Sequence, residues 1–155
     1  MTPEIATYSR YIREKIAQFD VAVSSLSEAD LNRAPDFPGA NSPFVIATHV
    51  LGNMRAWILG IVCGQELRRD RPAEFVSHGT YQQIRAAAFS LSSEIEAALE
   101  GLDANTLGDR FTPPQELWGE GTSVELQRRE GFAHALEHAG IHLGHMHVTL
   151  ELLKR

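Results

Sequence analysis

Between Pro43 and Gly64 the chain reads PFVIATHVLGNMRAWILGIVCG, with Arg55 as its only charge. Wound into an α-helix, this stretch presents apolar groups around nearly its whole circumference, so other elements must enclose it. Its ends are marked. Ser42 stands at the N-cap with Pro43 just inside, and Gly64 is placed to take the left-handed conformation that closes a helix.

The rest of the chain offers three further segments of helical period. The first runs from about Pro3 to Ser25, with Ile5, Tyr8, Ile12, Ile16, Phe19 and Val23 three or four residues apart. A short helical turn, Ser27 to Asn32, follows and is capped by Ser27. The third long helix starts at Thr80 and stops at Gly101; the fourth takes Thr122 or Ser123 as its cap, with Glu125 completing a capping box, and extends to about Leu153. Sustained β-type alternation is missing, so no substantial sheet is expected. The predicted fold is all-α, a four-helix bundle in one domain spanning residues 1–155. Gln65 to Gly79 is 15 residues, long enough to cross the ~30 Å length of a helix. Helices two and three can therefore run parallel, joined by a long crossover.

A net charge of −6 disfavours phosphate backbones and anionic lipid surfaces, so neither a nucleic acid nor a membrane is expected as partner. Arg68, Arg69 and Arg71 form the one basic cluster and read as a solvated loop. Cys63 is the sole cysteine, which excludes an internal disulfide and reads as a small buried hydrophobe. The opening MTPEIATYSR lacks the pattern of a secretory leader, and the apolar run Ala56 to Gly64 is far short of the ~20 residues of a membrane span. A cytoplasmic location is the expectation. No G-x-S-x-G, P-loop or G-x-G-x-x-G element is present.

Histidine is where the composition departs from average: seven in all, five between His134 and His147. On a helix His138 and His142 lie about 40° apart, one turn from each other, with His145 on the same stripe within about 20° of His138 and His134 one turn before. His147 points to the opposite side. A pair at i, i+4 lets two imidazoles reach one divalent ion at ~2.0–2.1 Å. Lone core histidines are commonly structural, but a repeated stripe among small apolar neighbours needs several partners at once, and a cation supplies them. His49, inside the apolar second helix near Asn53 and Ala56, completes three nitrogen ligands, the pattern of an open, catalytic-type centre. Asn53 and Trp57 are candidate substrate-pocket residues, with Tyr8 and Tyr11 as further candidates for the lining; His78 is expected to face solvent.

The segment NSPFVIATHVLGNMRAWILG, together with LEHAGIHLGHM, resembles the DinB/YfiT-like superfamily of bacterial proteins described as metalloenzymes. Its signature is one His on helix two and H-x-x-x-H-x-G-Q on helix four, read here as His49, then His138, His142 and Gly144. SEADLNRAP after the first helix is also family-like. The resemblance implies an up-down-down-up bundle, a homodimer, and a divalent metal (zinc, nickel or iron) on the His triad. Branches of the family include mycothiol-dependent maleylpyruvate isomerase and bacillithiol S-transferases, so it further implies a small-molecule substrate and a low-molecular-weight thiol. Where the family commonly has Gln, this chain has His145. That residue can be a fourth ligand, an acid/base of the pocket or a hydrogen-bonding substitute; the strain of three ligands on one helical stripe favours the acid/base role. Two function classes stand: a metal-dependent enzyme of thiol-transferase, isomerase or hydrolase type, and a non-catalytic metal- or small-ligand-binding protein of stress-response type.

Overall fold

Four long helices do most of the packing in the computed structural model, which describes residues 1–154. They are α1 (Pro3–Val23), α3 (Pro43–Met54, continued by a π-helical segment Arg55–Val62), α5 (Tyr81–Glu100) and α7 (Glu130–Leu153); α2 (Glu28–Leu31), α4 (Arg71–Glu74) and α6 (Gln115–Trp118) are single turns. α1 packs on α5 and α7, and α3 on α5 and α7, so the four enclose one core. The predicted stripe on α1 is buried at Ile5, Ile12, Ile16, Phe19 and Val23, with Tyr8 half-buried and stacked on Phe132.

Capping chemistry places most helix starts where the sequence does. Ser27, Ser42 and Thr80 accept from the backbone N–H of Asp30, Val45 and Gln83, and the Gln83 side chain accepts in return from Thr80 N–H. Gly64 takes φ +71°, the left-handed close expected of it. Pro43–Val62 is long and apolar enough to cross a bilayer, yet 83% of its apolar window is buried inside the protein, which makes it the core helix.

Two expectations need correction. α7 begins at Glu130, not at residue 122 or 123, because the preceding residues are used otherwise. Leu126 and Gln127 (β2) pair antiparallel with Phe111 and Arg110 (β1), burying Leu126. Ser123 donates to Pro113 O, and Glu125 accepts from Arg110 Nε at 2.7 Å, so neither caps a helix. The second helix also changes pitch after Met54: Cys63 N–H bonds to Ile58 O and Gln65 N–H to Leu59 O, wider turns that the apolar pattern does not announce.

Candidate metal centre

α3 and α7 pack face to face, and the histidine spacing on each decides what meets at the seam. His49 Nε2 lies 3.1 Å from His138 Nε2. One ring nitrogen from each of His49, His138 and His142 falls within 4.8 Å of the others. Two nitrogens bound to one tetrahedral ion at ~2.05 Å are separated by ~3.3 Å, close to that approach. His49 is buried and the other two are half-buried. The donor set is all imidazole nitrogen, which suits a zinc, nickel, iron or copper ion.

The crossover between α3 and α5 supplies the backing. Glu74, the last residue of α4, accepts from His49 Nδ1 at 2.8 Å. A carboxylate only accepts here, so Nδ1 carries the hydrogen and the Nε2 lone pair faces His138. Arg69 grips the same carboxylate twice, Nε on Oε1 at 2.7 Å and Nη2 on Oε2 at 2.9 Å. Burial pushes Glu74 up, but hydrogen bonds from His49 and Arg69 and the guanidinium charge outweigh it, so its carboxyl titrates below the usual range. Gly52, on α3, makes room: a Cβ there would sit 2.3 Å from Glu74 Oε1. This is the carboxylate–histidine pairing that orients ligands in metal sites.

Electrostatics hold the two α7 histidines in the ligating form. Burial, then the positive charge of His142, His49, His134 and Arg69, drives His138 down to about 3; burial with His49 and His145 takes His142 to about 4. Both are neutral imidazoles at physiological pH. Their Nδ1 atoms make no hydrogen bond to any described residue.

The triad opens on a cavity of about 500 Å³, within the size range of small-molecule sites. Asn53 and Trp57 line it with the three histidines. Trp57 stacks on His134, at 3.5 Å between ring centroids, and meets Trp118 at a tilt at 5.3 Å. His145 is not among the lining residues; it is exposed and meets His142 edge-on at 5.2 Å. Tyr11 is exposed and His78 is exposed, both away from this cavity.

The basic cluster read as a solvated loop divides. Arg68 is exposed, but Arg69 is 6% exposed at its side chain and Arg71 lines the cavity. Arg10, Arg13 and Arg55 lie outside this cavity and pair with Glu14, Glu96 and Glu94. Glu74, Arg69, Arg71, Phe75 and Trp118 were missed because they come from connections without period. One signal existed: Asp70 before Arg71-Pro72 reads as a capped helical turn, and Asp70 does accept from Ala73 N–H.

Comparison with solved structures places the fold. A conserved protein from Enterococcus faecalis aligns over 99% of this chain and 98% of its own, with TM-score 0.74 and 13% identity. The mycothiol-dependent maleylpyruvate isomerase aligns over 92% of this chain with TM-score 0.65 and 11% identity, and a mutant of it with TM-score 0.67. This chain spans 60% of the isomerase's length. No curated protein matches the sequence. Residues 11–146, which contain all three histidines of the triad, match the family model of the DinB superfamily, and the chain belongs to that superfamily.

Proposed function

We propose that this protein is a metal-dependent enzyme built on an up-down-down-up four-helix bundle, with one divalent ion held by His49, His138 and His142. The observation that carries this reading is the convergence of three imidazole nitrogens within 4.8 Å, one of them backed by a buried Glu74–Arg69 pair, at the floor of an open cavity. A core histidine kept for structure needs no second and third imidazole aimed at the same point. A divalent ion on three nitrogens with free positions lowers the pKa of a water or thiol, supplying a nucleophile at neutral pH. The chain's own residues do the rest. Glu74 fixes the His49 tautomer, Asn53 and Trp57 seat the substrate, and His145 passes protons between solvent and the His142 side of the site. The reaction class is thiol transfer, thiol-dependent isomerisation or hydrolysis of a small electrophile, in the cytoplasm and as a homodimer. Likeness to an isomerase named for its mycothiol dependence supports the thiol branch.

Elemental analysis of untagged protein, followed by thiol-transfer and hydrolysis assays with and without the metal, tests the reading. Stoichiometric metal with metal-dependent turnover is the expected result. Stoichiometric metal without turnover on either class would move the protein to the non-catalytic, ligand-holding reading; His49→Ala and His142→Ala that retain metal would overturn the triad. His145→Gln is expected to keep the metal and shift the pH profile of activity.

A further inference from the structure

The metal cavity contains two arginines in different states. Arg69 is spent: both its Nε and Nη2 are bound to the Glu74 carboxylate, and its side chain is 6% exposed. Arg71 is not. Its side chain is 30% exposed, and its ion pair runs from Nη2 to Oε1 of Glu120 at 2.6 Å, a partner that is itself 82% exposed. Ion pairs this open to water are weak and readily exchanged. A guanidinium offers a planar fork of donors matched to both oxygens of a carboxylate, and among the described residues Glu120 fills only one prong.

Glu120 is held at the cavity wall by an unusual backbone. Gly119 and Gly121 on either side take φ +101° and +75°, and all three of Gly119, Glu120 and Arg71 belong to this part of the molecule, with Gly119 and Glu120 lining the same cavity. The chain thus places one of its own loosely held carboxylates against a cavity arginine. Phe75 contacts both ends: its ring centre lies 4.9 Å from the Arg71 guanidinium carbon and 4.8 Å from the His49 ring centre, which sets an upper limit of about one ring between two contacts on the span from Arg71 to the triad. Trp57 and Trp118 line the same cavity with flat apolar rings. Arg69 is offset by Glu74 and Arg71 by Glu120, so a divalent ion on the triad would leave this cavity positive inside a chain of net charge −6, and more so when Glu120 is displaced.

We propose that Arg71 is the specificity-determining residue of the site, a carboxylate receptor whose resting occupant is Glu120, and that the substrate is a small carboxylate with a flat, unsaturated or aromatic body about one ring long. The inference rests on the metal reading above for the far end of that substrate. Glu120 is then a competitor that the substrate carboxylate displaces, and Arg71 exchanges a one-pronged exposed contact for a two-pronged one.

Calorimetric titration of zinc-loaded protein with benzoate and with methyl benzoate tests this, with zinc per chain measured for every variant. Arg71→Gln is expected to weaken benzoate at least ~10-fold, Arg71→Lys to recover part of the loss, and Glu120→Gln to tighten benzoate about 3-fold or more, since charge-assisted two-pronged contacts are the strong ones. Methyl benzoate should respond to none of them. Glu120 is at the surface, so its variant reports even if one at Arg71 folds poorly. Benzoate affinity unchanged by Arg71→Gln, or unchanged or weakened by Glu120→Gln, overturns the proposal. Benzoate binding that survives Arg71→Gln while N-acetylcysteine binding is lost assigns Arg71 to a thiol cofactor and also overturns it. A protein that takes up no zinc fails the metal reading instead, and benzoate titration of that metal-free protein still reports on Arg71.

Discussion

Gly52 sits one turn beyond His49, and its missing side chain is what lets the Glu74 carboxylate lie against α3. Gly52→Ala would put a methyl 2.3 Å from Glu74 Oε1, and because Arg69 holds that carboxylate by two bonds, we expect the His49 contact to give. We expect Gly52→Ala and Glu74→Gln each to lower metal affinity by about 10–100-fold with helix content retained, read by competition against a chromogenic chelator. Unchanged affinity in both would show that the carboxylate does not orient His49. The α7 histidines carry a pH signature. Folded, His138 and His142 stay neutral down to about 3 and 4, whereas an unfolded chain protonates them near 6.5. Below 6.5 the unfolded state therefore binds more protons, and stability of the metal-free protein falls as pH drops toward 4 and is level above 7. Their couplings to His49, His134, His145 and Arg69 all oppose a proton on either ring, which works in the same direction. Thermal melts from pH 7.5 to 5 on the apo form check this, and His142→Leu should flatten the slope. The triad itself was legible because i, i+4 spacing on one helix and an isolated polar residue on an apolar helix are patterns. Glu74 lies 25 residues from His49 in a crossover with no repeat, and nothing local ties the two together.

At the level of elements, the sequence located helix bodies better than it located the start of α7. A Thr or Ser followed three residues later by Glu or Gln is a start signal wherever the backbone is free to use it, and two such places behave differently. Thr80 accepts from Gln83 N–H and receives the Gln83 side chain in return. Thr122 is exposed in a loop whose next residues join a two-stranded pairing. Thr80→Ala should cost about 1 kcal/mol in urea unfolding, and Thr122→Ala within about 0.5 kcal/mol of nothing. Equal losses would contradict the observed start of α7. Leu126 explains the choice: buried against the core, it is better served by pairing with Phe111 than by a helix that starts at residue 122. The π-helical pitch of Arg55–Val62 was invisible for a related reason. When every side of a helix is apolar, a change in residues per turn leaves no trace in the pattern.

The molecule as a whole ties two of its longest helices together through one small centre. An ion that binds only the folded state adds RT ln(1 + [L]/Kd), about 2.7 kcal/mol at a hundredfold excess over Kd. Chelation should therefore lower the melting temperature by several degrees, and a His49→Ala variant should melt the same with or without chelator. The expectation of enclosure drawn from Pro43–Gly64 reappears at this scale, since α1, α5 and α7 all pack against that helix or its continuation. The 3.1 Å approach of His49 Nε2 to His138 Nε2 also says what happens once the ion is stripped. With Nδ1 of His49 committed to Glu74, a hydrogen on His138 Nε2 can span the gap, so the seam stays buttoned by a single proton. Emptying the centre is then a change in one hydrogen's address, and refilling it asks for a tautomer flip where a splayed pocket would have to be rebuilt.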